Sequence, residues 1–141
     1  MKLLIYGSKG WIGQQFVELC NKNKIKFYIG EARCNNAVQL ENELSLIQPT
    51  HIISFIGRTH GLIDNIQYTT IDYLEQDGKL IENIRDNLFS PIQLALLAHK
   101  YNIHYTYLGT GCIFKFDKEH PFEKEVKGFT EESLPNFFGS S

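Results

Sequence analysis

Two short stretches carry residues whose types and spacing suit chemistry. The first is "YGSKGWIG", which sets Gly7, Gly10 and Gly13 three residues apart directly after an apolar run. A glycine at the first position permits a tight strand-to-helix turn. One at the second lets a pyrophosphate approach the backbone, and one at the third lets a helix pack close to a sheet. Gly7, Ser8, Lys9, Gly10, Trp11, Ile12 and Gly13 are therefore the expected dinucleotide cradle, with the free N–H groups of the helix start facing the phosphates. An ordinary turn that happens to hold three glycines is the alternative. The second stretch is "YLGTGCIF", where Thr110 and Cys112 place a hydroxyl and a thiol two residues apart just past an apolar run. If that run is a strand of a parallel sheet, both residues line the crevice at its C-terminal end. The bland readings are a threonine satisfying loop backbone groups and a small cysteine packed under its loop.

The segment "YIGEARCNN" bears on which dinucleotide would bind. An NAD site wants an acidic residue near this point for the ribose hydroxyls, and Glu31 stands there. Arg33 follows two residues later, and its planar fork pairs well with a 2′-phosphate. The expected cofactor is NADPH, with a solvated surface arginine as the alternative. The segment "FIGRTHG" is expected to pass beneath the cofactor through Phe55, Ile56 and Gly57. Arg58 and His60 are either ligand contacts or exposed loop residues.

These stretches need elements to hold them. Apolar runs at 2–6, 25–30, 51–57 and 103–109 read as strands. Helical spacing appears in 11–23 (Ile12, Phe16, Val17, Cys20), in 37–49 (Val38, Leu40, Leu44, Leu46) and in 80–100 (Ile81, Ile84, Leu88, Ile92, Leu96). Pro91 sits inside the last helix and predicts a kink near 87–91. Residues 65–77 read as irregular, and the chain from Ile113 onward as loop. Alternation of strand and helix predicts an α/β, Rossmann-like parallel sheet with helices on both faces. The expected strand order is 3-2-1-4, with the fourth strand beside the first. The whole stretch 1–141 reads as one NADP-binding domain.

Composition limits the function classes. Hydrophobic residues are 43%, charged residues 21% and the net charge is −2, so nothing global points to nucleic acid or a membrane surface. Cys20, Cys34 and Cys112 form no disulfide framework and no metal-ligand spacing. The expectation is a cytoplasmic protein without a metal, in which Cys20 and Cys34 are inert.

The three-residue glycine spacing resembles the extended short-chain dehydrogenase/reductase family, whose members mostly act on nucleotide sugars. Within it, "GSKGWIGQQFVELC", "IQPTHII", "IRDNLFSPIQLA", "GTGCIF" and "GFTEESLPNFFGS" resemble the nucleotide-rhamnose synthase epimerase/reductases along nearly the whole chain. The resemblance implies an NADPH-dependent 3,5-epimerase/4-reductase of a UDP- or dTDP-4-keto-6-deoxy-hexose. It makes Thr110 the hydroxyl that orients the keto oxygen, and Cys112 the acid/base that exchanges the proton next to the ketone. A thiol suits that task because its reference pKa, about 8.5, lies near working pH. GDP-fucose synthase, with a similar cysteine, is the runner-up. A non-catalytic NADP-binding interaction module is the alternative from outside the enzymes.

In these families a Tyr-x-x-x-Lys follows the "PNF" segment. None of the seven tyrosines here has a lysine four residues on. The expectation is a cofactor-binding half, truncated on the C-terminal side and inactive alone. A homodimer or a complementing C-terminal polypeptide would be its partner, and a nucleotide sugar its substrate.

Overall fold

The computed structural model describes residues 1–109, 113–123 and 128–137. The chain forms two compact units, Met1–Gly109 and Thr110–Ser141.

The first unit is built on a parallel sheet. Strand β1 (Leu3–Tyr6) has all four residues buried. Its side chains alternate between two cores, as a strand's pleat requires. Leu3 and Ile5 pack with Cys20, Phe16 and Val17 of α1 (Trp11–Lys22). Leu4 and Tyr6 face the opposite way, toward Leu40 and Leu44 of α2 (Ala37–Ile47). Strand β2 (Phe27–Ile29) is short and half exposed. Strand β3 (His51–Ser54) pairs with β1 from His51 opposite Leu3 to Ser54 opposite Tyr6.

The sheet order differs from the expected one. With β6 (His104–Tyr107) as the last strand, the order is β2-β1-β3-β6, and β6 pairs with β3 rather than with β1. Only one strand lies beyond β1 on the β2 side. The crossover through α2 returns the chain to the other flank of β1, the most deeply buried strand, and leaves short β2 as the edge. The reversal point therefore lies between β1 and β3, and a ligand crevice is expected outside their C-terminal ends.

Two further elements were not expected. Residues 65–77 begin with part of a hairpin, in which β4 (Gly61–Ile63) pairs antiparallel with β5 (Ile66–Tyr68). Its two-residue turn has φ of 47° at Asp64 and 64° at Asn65, the left-handed pair that tight hairpins favour. The kink foreseen near Pro91 is a widened turn. The rod runs from α3 (Leu80–Asn83) through a π-helical stretch, Ile84–Phe89, into α4 (Ser90–Lys100). Proline has no N–H for the carbonyl four residues back, so the helix there loses a rung. Within the same stretch the Ser90 hydroxyl donates to the Arg85 carbonyl at 2.8 Å.

The helical stripes also need correction. Ile81, Ile84, Leu88, Ile92 and Leu96 are all exposed. The face of α4 that meets the sheet is Leu94, Leu97 and Ala98. Ile92 and Leu96 lie on the other side of that helix. In α2, Leu40 and Leu44 are buried while Val38 and Leu46 are exposed.

The second unit has neither helix nor strand among its described residues. It is tied by Asn136 of the "PNF" segment. The Lys115 N–H donates to Asn136 Oδ1 at 2.8 Å, and Asn136 Nδ2 donates to Asp117 Oδ2 at 2.8 Å. Phe129 stacks on Phe114 at 4.3 Å between ring centroids and on His120 at 4.0 Å.

Candidate functional site

The loop after β1 turns sharply at Gly7, whose φ is +75°. A Cβ there would lie 2.7 Å from the Phe55 carbonyl carbon of the loop after β3. Gly13 sits in the first turns of α1, where a Cβ would lie 2.2 Å from the Gly7 oxygen. Helix and loop thus pack backbone to backbone. Gly10 differs, because the Gly7 oxygen at 3.4 Å is the nearest atom to a Cβ there and the space is otherwise open. It is also the N-cap of α1, and no side chain caps that helix. The first N–H groups of α1 are left to solvent or ligand, in a setting that favours an anion.

A cleft of about 1070 Å³ opens at this point. Of the sequence candidates, Gly7, Lys9, Gly10, Arg33, Phe55, Ile56 and Gly57 line it. Arg58 and His60 line it too. Ser8, Trp11, Ile12 and Gly13 do not: Trp11 and Ile12 are exposed and Gly13 is buried in the turn. Glu31 is likewise absent from the walls, whereas Arg33 is part of them. Thr110 and Cys112 lie outside the described residues.

Sequence reasoning missed the wall supplied by the π-helical stretch and the first residue of α4. Arg85, Asp86 and Ser90 line the cleft. Asp86 Oδ2 accepts from Arg58 Nε at 2.6 Å, and Asp86 Oδ1 from Arg85 Nε at 2.6 Å. Burial works to raise the Asp86 carboxyl, but the hydrogen bonds from Arg85 and Arg58 outweigh it and hold the group below the ordinary range. Asn87 clamps the same loop from both sides. Its Oδ1 accepts from the Arg58 N–H at 2.6 Å and its Nδ2 donates to the Arg58 carbonyl at 2.9 Å. Pro91 was the available signal, since widened turns gather at functional sites, but it gave no hint of which side chains the turn would aim.

The charge balance of the cleft is positive. Lys9, Arg33, Arg58 and Arg85 stand on its walls against Asp86. A glycine-lined helix start, a basic rim and this volume fit a dinucleotide phosphate at the β1/β3 reversal point. Neither described thiol is poised to react. Burial pushes Cys34 up to about 12 and raises Cys20 as well.

No protein-family model matches the chain. Its sequence is 34% identical over 140 residues to a trifunctional UDP-glucose 4,6-dehydratase/UDP-4-keto-6-deoxy-D-glucose 3,5-epimerase/UDP-4-keto-L-rhamnose-reductase of Arabidopsis thaliana, covering 99% of this chain and 20% of that one. Its structure is similar to the crystal structure of a UDP-rhamnose synthase from Acanthamoeba polyphaga mimivirus. There the TM-score is 0.81 and the identity 49%, over 99% of this chain and 47% of the other. A dTDP-4-dehydrorhamnose reductase of Bacillus anthracis, solved in complex with NADP, shares the fold with a TM-score of 0.65 at 21% identity, over 84% of this chain and 40% of that one. The resemblance to the nucleotide-rhamnose synthase epimerase/reductases therefore holds along the whole chain, and the Rossmann-like fold with it. The chain spans less than half the length of these relatives. No helix among the described residues is long and apolar enough to cross a membrane.

Proposed function

We propose that this chain is the cofactor-binding half of an NADPH-dependent 3,5-epimerase/4-reductase acting on a UDP-linked 4-keto-6-deoxy-hexose. The observation that carries the proposal is the basic, glycine-lined cleft at the β1/β3 reversal point, with Arg33 rather than Glu31 on its wall. Its setting, in a chain 49% identical to a UDP-rhamnose synthase, supports the choice of substrate class. The remaining fold is supplied by further residues of a longer chain or by a second polypeptide.

Each residue has a distinct task. The N–H groups at the start of α1 hold the pyrophosphate, and Arg33 pairs with the 2′-phosphate. Asn87 and Asp86 fix the loop 57–60 along the cleft floor. NADPH, when bound, supplies the hydride for the sugar ketone. Cys112, as thiolate, removes the proton from the carbon beside the ketone. It leaves an enolate that takes a proton back on the opposite face. Thr110 donates a hydrogen bond to the keto oxygen and orients it for reduction.

The test joins residues 1–141 to the C-terminal portion of the mimivirus synthase and follows deuterium exchange from heavy water by NMR. Cys112→Ser should block exchange beside the ketone, because a hydroxyl is far too weak an acid to replace the thiol near neutral pH. Thr110→Ala should slow reduction and leave exchange in place. Exchange at the wild-type rate in Cys112→Ser would make Cys112 a packing residue and remove the epimerase from the assignment.

A further inference from the structure

Between β2 and α2 the chain runs through 30–36, and its first five residues, 30–34, are each met by a side chain from elsewhere. A Cβ on Gly30 would lie 2.3 Å from the Tyr6 ring, so that ring packs directly against the backbone at the end of β2. The Tyr6 hydroxyl then donates to Glu43 Oε2 at 2.5 Å. The other oxygen of the same carboxylate, Oε1, accepts from the Glu31 N–H at 2.7 Å and from the Ala32 N–H at 3.1 Å. Next along the loop, the Arg33 N–H donates to Gln39 Oε1 at 3.3 Å, and Gln93 Nε2 donates to the Cys34 carbonyl at 2.8 Å. The loop has no strand or helix of its own between Glu31 and Asn36, and these side chains replace the missing ladder.

We propose that Tyr6 and Glu43 are a positioning pair that sets cofactor selectivity: they fix the backbone at Glu31 and Ala32 so that Arg33 stands on the cleft wall where a 2′-phosphate would lie. The proposal rests on the reading that the cleft takes NADP(H).

The arrangement has the features of a positioning device. Glu43 is carried on α2 and Tyr6 on β1, both rigid elements; Tyr6 reaches the cleft wall, whereas Glu43 stands outside it and acts only through the loop. Tyr6 is 1% exposed. Burial and the Glu43 carboxylate keep its phenol protonated, so it remains a donor across the physiological range. Two backbone N–H groups on one carboxylate oxygen leave the peptide planes at 31 and 32 little freedom, and so fix where the Arg33 backbone stands beside the cleft. An arginine carried on a fixed backbone costs less ordering on binding than one on a free loop. NADH lacks the 2′-phosphate and would gain nothing from this order, so the pair should matter to one cofactor and not to the other.

The test is parallel titration of the 141-residue chain with NADPH and NADH, read by the fluorescence of the bound reduced nicotinamide. Glu43→Ala should lower the ratio of NADPH to NADH affinity by about fivefold through lost preorganisation, with NADH binding changed by less than about twofold. Glu43→Gln keeps an oxygen for the two N–H groups and should hold the ratio near wild type. Tyr6→Phe keeps the ring against Gly30 and removes only the hydroxyl, so it serves if Glu43→Ala fails to fold, and it should also lower the ratio. In an Arg33→Ala background, Glu43→Ala should lower the ratio no further. Equal weakening of both cofactors, or a ratio untouched by Glu43→Ala and Tyr6→Phe while Arg33→Ala collapses it, would make the pair merely structural and overturn the inference alone. A wild-type chain that binds both cofactors equally would overturn the NADPH reading and the inference with it.

Discussion

Replacing Arg33 by alanine should remove most of the preference for NADPH and spare the fold. The Arg33 side chain is exposed, and among the described residues its guanidinium makes no ion pair. The contact that holds the residue in place uses its backbone N–H, which donates to Gln39 at 3.3 Å and survives the substitution. Truncation therefore removes a ligand contact and little else. A hydrogen bond to a charged group contributes roughly 1.5–3 kcal/mol. An exposed arginine belongs at the lower end, because water and salt screen it. A loss of about 1.5 kcal/mol corresponds to roughly a tenfold rise in Kd for NADPH. NADH, without the phosphate, should bind the variant and the wild type alike. The assay is titration with both cofactors at low and high salt. The wild-type preference should shrink with added salt and the variant's ratio should not respond. A variant that loses affinity for both cofactors equally would show that Arg33 shapes the loop rather than reads the phosphate.

Gly13→Ala should abolish cofactor binding and lower the melting temperature, because the new Cβ would lie 2.2 Å from the Gly7 oxygen. Backbone must move to admit it, at about 1–3 kcal/mol by analogy with overpacked cores; wild-type melting by circular dichroism would refute the close packing. Acid should weaken the wall made by the π-helical stretch. The Asp86 carboxyl is held below its ordinary 3.8, so its stabilisation is present above that value and is lost as the pH falls through it and on through the lower folded value. The gap in melting temperature between wild type and Asp86→Asn should therefore narrow below about pH 4, and a gap that stays constant into acid would place the effect elsewhere.

Most of the first unit was legible because its signals are local. An apolar run before Gly7, a helical pattern after it and a repeat of both require only that strands and helices bury their apolar faces. The strand order was not legible, because it depends on which flank of β1 the chain takes after α2. Nothing within 37–49 encodes that choice by itself. The apolar stripe through Ile81, Ile84, Leu88, Ile92 and Leu96 misled for a related reason. Periodicity reports that a helix has an apolar face, but not that the face meets this sheet. The true contact, Leu94, Leu97 and Ala98, has the same spacing and is no stronger as a pattern.

The site divides along the same line. That Gly7, Gly10 and Arg33 would stand on the cleft wall was readable because each signals through its own backbone freedom or its own charge. The residues that aim them were not readable, since each acts through a partner far away in sequence. Tyr6 reaches Glu43 across 37 positions, and Asn87 reaches Arg58 across 29. Such residues look ordinary in a sequence: a tyrosine ending a strand, a glutamate inside a helix, an asparagine four residues ahead of a proline. Their geometry also explains why the cleft needs the π-helical stretch. Asp86 binds the Arg58 side chain, and its neighbour Asn87 binds the Arg58 backbone at both N–H and carbonyl. Successive residues of a regular α-helix point about 100° apart, which makes it hard for both to grip one residue. A wider turn relaxes that constraint. Pro91, by removing a rung from the helix, makes the wider turn affordable there, so the backbone defect and the fixed loop on the cleft wall go together.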